Sequence, residues 1–337
     1  MIRRILALFV LLPGVLLAQN NSTHNYKLEK DVLWASPEGF DLTMDIYTPD
    51  TGKDSYPVLI IYHGGGWLIN NKSIMDEMSQ YVASHGEYVV CNVNYRLLGD
   101  QDNTVTMDEI VGDVFGALLW VKEHVAQYNG DPKRVAVTGD SAGGHLASMV
   151  VLMENKLNDC GFSEGPDGFR SSYIPEGKKL KKLVKKGGME VQAGLISYGA
   201  FDLLAACQGD FEQESNFFWQ MGGAKARPIF GDSISVTENP EYYKMVSPIY
   251  NIPKASERKL PPQLLTVGSK DDLTTPELVS AYKAKLEEAG HPVEYWVHEG
   301  RPHAFLDSGT NDYLGISFDK DAIPALEVML DFLDKVL

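Results

Sequence analysis

The sequence predicts an α/β fold in which a mostly parallel central sheet carries helices on both faces. Three observations support this. Strand-like and helix-like stretches alternate along most of the chain. Residues 57–62 and 88–93 are almost unbroken apolar runs, as suits parallel strands covered on both sides. Residues 134–138, a short run with three β-branched members, lead through Gly139-Asp140-Ser141-Ala142-Gly143-Gly144 straight into an apolar-periodic segment. That is a strand joined to a helix by one tight turn.

Residues 42–47 alternate apolar and polar side chains and predict a half-buried strand. The two apolar runs follow as buried strands. Ile110, Val111, Val114, Ala117, Leu118 and Val121 recur at helical spacing and predict a helix over 107–124. Strands at 135–138, 193–198, 263–267 and 293–297 then alternate with helices at 142–153, 276–288 and 323–336. Residues 155–190 and 203–259 are too long for ordinary connections and read as insertions capping one end of the sheet. In the first, six lysines (Lys178, Lys179, Lys181, Lys182, Lys185, Lys186) surround Leu180, Leu183 and Val184. The apolar trio shares one helical face, so an amphipathic cap helix with a solvated basic side is favoured over a site for anionic substrate or membrane. In the second, Phe211, Phe217, Phe218 and Trp219 suit a pocket wall and an insertion core equally well.

Of the 337 residues, 44% are hydrophobic and 23% charged, which is ordinary for a globular chain. Arg3 and Arg4, apolar residues 5–18 and polar Gln19-Asn20-Asn21 read as a signal peptide over 1–18, which implies a secreted or periplasmic protein. The alternative is an uncleaved anchor. The apolar run is shorter than the ~20 residues that span a bilayer, so no stable membrane span is expected after cleavage. Residues 19–337 then form a single α/β domain with insertions at about 155–190 and 203–259. A net charge of −16 opposes nucleic-acid phosphates. Three cysteines cannot build a disulfide framework. Cys91 lies in a buried run, while Cys160 and Cys207 remain a candidate pair.

The turn at Ser141 carries the chemistry. A serine between glycines, at the start of a helix, projects its hydroxyl where the helix dipole favours developing negative charge. A serine hydroxyl needs a base, and the base needs an acid to hold it. In a strand–turn–helix context both follow the serine in the chain. Among eight histidines, His24, His63, His85 and His124 precede Ser141. His145 sits in the following helix, His291 at the far end of the last strand and His298 within it. Only His303 falls in a loop at the correct edge. For the acid, Gly268-Ser269-Lys270-Asp271-Asp272 ends a strand at that edge. Asp271 is preferred, Asp272 remains open, and Asp202 is a third candidate whose plainer role is capping. His63-Gly64-Gly65-Gly66-Trp67 follows another strand. The amides of Gly64 and Gly65, with that of Ala142, suit an oxyanion hole. No metal or organic cofactor is required.

These motifs, with Asn94-Tyr95-Arg96-Leu97, Asp113, Trp120 and His303-Ala304-Phe305, resemble the α/β-hydrolase superfamily. The likeness is to the hormone-sensitive-lipase-like esterases of H-G-G-G type and covers residues 58–303. The resemblance implies the α/β-hydrolase fold and serine carboxylic-ester hydrolysis. It also implies an acid three residues after Gly268, which is Asp271, and an Asp113 that ties down the Tyr-Arg loop. Leu98-Gly99-Asp100 departs from the Ala-Pro-Glu common in that branch and extends the resemblance to BD-FAE and carbohydrate-esterase-like relatives. The expected substrate is a small-molecule or polysaccharide-borne ester with a short acyl chain, in a pocket narrowed by Trp67 and the capping aromatics. The competing readings are an amide-cleaving hydrolase, such as a peptidase or arylformamidase, and a non-catalytic hydrolase-fold binding module.

Overall fold

Apolar runs with no polar face must be covered on both sides, and the sheet of this protein meets that demand. The structure, a computed structural model, describes residues 23–337; the expected signal peptide lies outside them. Eight strands form one sheet: β1 Tyr26–Ala35, β2 Leu42–Pro49, β3 Tyr56–Tyr62, β4 Val89–Val93, β5 Gly130–Asp140, β6 Ala193–Ser197, β7 Gln263–Gly268 and β8 Val293–His298. Their order is β1-β2-β4-β3-β5-β6-β7-β8. Within this sheet, among the described residues, only the β1–β2 and β2–β4 pairs are antiparallel. Helices Asp76–His85 and Ile323–Val336 pack on one face. Helices Met107–His124, Ala142–Met153 and Pro276–Glu288 cover the other. The predicted α/β sheet is therefore present, with its helices at the expected positions.

Residues 42–47 depart from the half-buried expectation. β2 lies one strand in from the edge, and the polar side of its alternation is covered as well. Asp45 pairs with Lys72 at 2.7 Å, and the Tyr47 hydroxyl donates to Asp76 at 3.2 Å. The polar positions are thus buried in partnered form, as burial of such groups requires.

The two insertions differ. Residues 155–190 run along helix Met107–His124, where the Ser172 hydroxyl donates to Asp113 at 2.5 Å, and they contribute nothing to the cavity over Ser141. This corrects the expectation that both stretches cap the same end. The helix Leu180–Lys185 buries Leu180 and leaves all six lysines exposed, as an amphipathic element should. Residues 203–259 do cover the site. Their aromatics divide: Phe217 and Phe218 line the cavity, while Phe211 and Trp219 are buried, the Trp219 indole N–H donating to the Phe211 carbonyl at 2.6 Å. Cys91, Cys160 and Cys207 are all free thiols, so the Cys160–Cys207 pair does not form.

β5 meets its following helix at a contact that only glycine allows. A Cβ on Gly143 would lie 1.9 Å from the Tyr62 carbonyl oxygen, and one on Gly139 would lie 2.3 Å from the Gly143 carbonyl carbon. Both obstacles are backbone and cannot swing aside. Gly143→Ala is expected to cost at least ~3 kcal/mol, by overpacking and backbone strain, or to prevent folding. An unchanged thermal midpoint would overturn this.

Candidate active site

The strand-to-helix turn sets Ser141 at φ 51° and ψ −116°, a left-handed conformation that is costly for a residue with a Cβ. Neighbouring backbone holds it there. The Ser141 N–H donates to the Ser197 carbonyl of β6 at 3.0 Å, and the His145 N–H donates to the Ser141 carbonyl at 3.0 Å. The side chain is thereby aimed past the C-terminal ends of the parallel strands.

His303 reaches the serine from the loop after β8. Its Nε2 stands 2.9 Å from Ser141 Oγ, and its Nδ1 stands 2.7 Å from Asp271 Oδ2. With Nδ1–H donating to the carboxylate, Nε2 is left to accept the serine proton. The loop is fixed from below. The Lys270 N–H donates to the Arg301 carbonyl at 2.9 Å, and Arg301 pairs with fully buried Asp321 at 2.9 Å. The Tyr198 ring meets the imidazole in an edge contact, with centroids 4.7 Å apart.

Asp271, the loop acid after β7, is itself held. Its Oδ1 accepts the N–H groups of Leu273 and Thr274, both at 2.9 Å, and the Thr274 hydroxyl donates to Oδ2 at 3.2 Å. Asp272 is exposed at the cavity mouth. Asp202 caps the helix Leu203–Gln208 through Ala205 N–H at 2.9 Å and accepts the Tyr250 hydroxyl at 3.0 Å. Of the three candidate acids, the structure brings only Asp271 to His303.

The glycine loop differs from expectation at one position. The Gly64 N–H donates to Asp140 Oδ1 at 2.7 Å and is therefore not free to bind an oxyanion. The N–H groups of Gly65, Gly66 and Ala142 have no acceptor among the described residues. Gly65 lines the cavity and Ala142 opens the helix after the nucleophile. Trp67, expected to narrow the pocket, is buried edge-on against His145 and Phe211 instead. The narrowing side chains are Phe217 and Phe218, in a cavity of about 400 Å³. Among the described residues, no group of three or more His, Cys, Asp or Glu side chains is placed to hold a metal ion.

Residues 44–286 match the model of the BD-FAE family. The chain belongs to that family. Carboxylesterase NlhH of Mycobacterium tuberculosis is 36% identical over 113 residues, 34% of each chain. Esterase LipQ of the same organism is 27% identical over 299 residues, which are 84% of this chain and 61% of the relative. The matches thus span a third to three-fifths of these relatives' length. Among solved structures, Thermogutta terrifontis esterase 2 phosphorylated by paraoxon superposes with a TM-score of 0.63 at 20% identity, covering 92% of this chain and 94% of that one. The shared architecture is the α/β-hydrolase fold.

In this BD-FAE chain a polar frame beneath the glycine loop supports the site. The Arg96 Nε and Nη2 both bond Asp113 at 2.9 Å, and the Arg96 N–H adds a third bond at 3.0 Å. Asp113 therefore ties the Tyr-Arg loop to helix Met107–His124, as the resemblance implied. The His63 ring stacks on Tyr95 with centroids 4.4 Å apart, its Nδ1–H donating to the Gly64 carbonyl at 2.7 Å. His145 Nε2–H donates to the Val246 carbonyl at 2.7 Å, while its Nδ1 accepts the Trp67 indole N–H at 3.2 Å. His145 thus joins the nucleophile helix, the glycine loop and the second insertion. Neither Asp140 nor this histidine bridge was singled out from the sequence.

These buried groups give the BD-FAE chain a defined response to acid. Burial pushes the His63 and His145 imidazoles down from 6.5 to about 4. Between those values the unfolded chain takes the protons first, so acidification favours unfolding. Asp140 acts in the opposite sense. Burial pushes its carboxyl up from 3.8 to about 6, so the folded state takes that proton first and acidification in that window favours folding. Asp140→Asn should therefore steepen the fall in thermal midpoint between pH 6.5 and 4. A slope no steeper than that of the unaltered protein would contradict this.

Proposed function

We propose that this protein is a serine carboxylic-ester hydrolase acting on short-chain acyl esters. The observation that carries the proposal is the Ser141–His303–Asp271 hydrogen-bond chain beside unpartnered N–H groups of the glycine loop and of Ala142. His303 Nε2 takes the Ser141 proton as Oγ attacks the ester carbonyl. The developing oxyanion turns toward the N–H groups of Gly65, Gly66 and Ala142, at the positive end of helix Ala142–Met153. His303 then gives its proton to the leaving alcohol, and Asp271 stabilises the imidazolium throughout. Water activated by the same imidazole releases the acid from Ser141.

Relatives that bear carboxylesterase and esterase names support the reaction class. The paraoxon adduct of the Thermogutta terrifontis enzyme suggests a direct test. A fluorophosphonate probe is expected to label Ser141 covalently, and absence of labelling would favour a binding module. We assign the short-chain preference to Phe217 and Phe218, which limit the cavity. In an acyl series, p-nitrophenyl acetate or butyrate is expected to exceed the laurate in kcat/KM by at least about tenfold. A preference for laurate would contradict the assignment. Tyr313, almost fully exposed at the mouth, gives a ring on which a sugar could stack, which favours a polysaccharide-borne ester. Acetate release from acetylated xylan tests that extension. A secreted or periplasmic location, from the signal peptide reading, fits such a substrate, and finding the processed protein outside the cytoplasm would test it.

A further inference from the structure

We propose that Asp140 and Asp307 act together as a charge filter in the cavity over Ser141. The site then accepts esters that are neutral or cationic around the reacting bond and turns away those carrying a carboxylate there. The inference rests on the ester-hydrolase reading above and names the substrate class of the same site.

Three carboxyl groups, Asp140, Asp272 and Asp307, line the cavity, with no Lys or Arg among its lining residues. Asp140 is 2% exposed. Its Oδ1 takes the Gly64 N–H, whereas Oδ2 has no hydrogen-bond partner among the described residues. The Asp307 backbone N–H donates to the Ala304 carbonyl at 3.1 Å, but its carboxyl has neither a hydrogen-bond nor an ion-pair partner among the described residues. Asp140 is buried and Asp307 half-buried in the cavity lining, and a charge on Asp140 opposes ionisation of Asp307. Burial pushes Asp140 up to about 6, and burial together with the charge of Asp140 pushes Asp307 well above the usual carboxylate range.

At neutral pH, above its value of about 6, Asp140 holds negative charge. Among the described residues that line the cavity, the one basic side chain is His303. A second anion entering so poorly screened a space meets repulsion that no neighbouring cation relieves. A quaternary ammonium group meets attraction from the carboxylates and from the faces of Phe217 and Phe218.

Three p-nitrophenyl esters of similar length test this with the full chain at pH 7.5: the hydrogen succinate, the methyl succinate and the 4-(trimethylammonio)butanoate. On kcat/KM, the methyl succinate is expected to exceed the hydrogen succinate by at least about thirtyfold, with the cationic ester equal to or above the neutral one. Asp307→Asn should narrow the neutral-to-anionic gap by at least about fivefold, and Asp272→Asn, outside the pair, by less. Equal rates on neutral and anionic esters in the unaltered protein, which need no variant to fold, would overturn the proposal. An unchanged gap in a folded Asp307→Asn would remove Asp307 from it. Failure of all three esters, together with no fluorophosphonate labelling of Ser141, would instead overturn the hydrolase reading on which the proposal rests.

Discussion

Ser141→Ala is expected to lower kcat on p-nitrophenyl acetate by roughly 10⁵–10⁶-fold while leaving the thermal midpoint within a few degrees. The substitution removes the hydroxyl oxygen 2.9 Å from His303 Nε2, so no acyl-enzyme forms. The unpartnered amides of the glycine loop remain, and roughly 10³-fold catalysis over water is expected to survive through them. Alanine fits the space and relieves nothing in the backbone, because Ser141 keeps its left-handed φ through bonds to Ser197 and His145. Activity within tenfold of the unaltered protein would remove Ser141 from the mechanism.

Asp271→Asn and Asp272→Asn form the second test, since two adjacent carboxylates differ by one residue and by everything in their surroundings. Asp271 is buried, accepts two backbone N–H groups and bonds His303 Nδ1 at 2.7 Å. An amide there can present its N–H₂ to Nδ1 and hold the imidazole in the wrong tautomer, a change worth roughly 10⁴ in kcat. Asp272 is exposed, and its loss should change kcat on a neutral ester by less than about threefold. Comparable losses in the two variants would show that the hydrogen-bond geometry does not identify the acid.

What the sequence disclosed followed the range of the forces involved. The turn at Ser141 was readable because strand, glycines and helix are contiguous. His303 emerged because chain order and sheet edge together leave one histidine. Asp271 was preferred over Asp272 by position alone, and the N–H groups that hold it became visible only in three dimensions. The bond from Gly64 to Asp140 joins residues 76 apart in the chain and has no local signature, so Gly64 read as a free donor. β1 was missed because it is an edge strand with most of its side chains exposed or half-exposed. Helix Asp76–His85 was missed because few of its residues are apolar and Met78, Val82 and Ala83 carry most of its burial. Phe217 and Trp219 could not be sorted because, two residues apart on a short helix, one faces the cavity and the other the interior of the insertion.

Gly66 and Phe218 touch so closely that a Cβ on the glycine would lie 2.5 Å from the ring. On the short-chain reading proposed above, the ring that would limit acyl length is also the backstop of the glycine loop. An engineer who trims Phe218 to admit longer chains releases that loop in the same stroke. Under that proposal, breadth of substrate and speed of turnover would be mechanically linked at this contact, and a wider pocket would call for a replacement buttress supplied from elsewhere in the insertion.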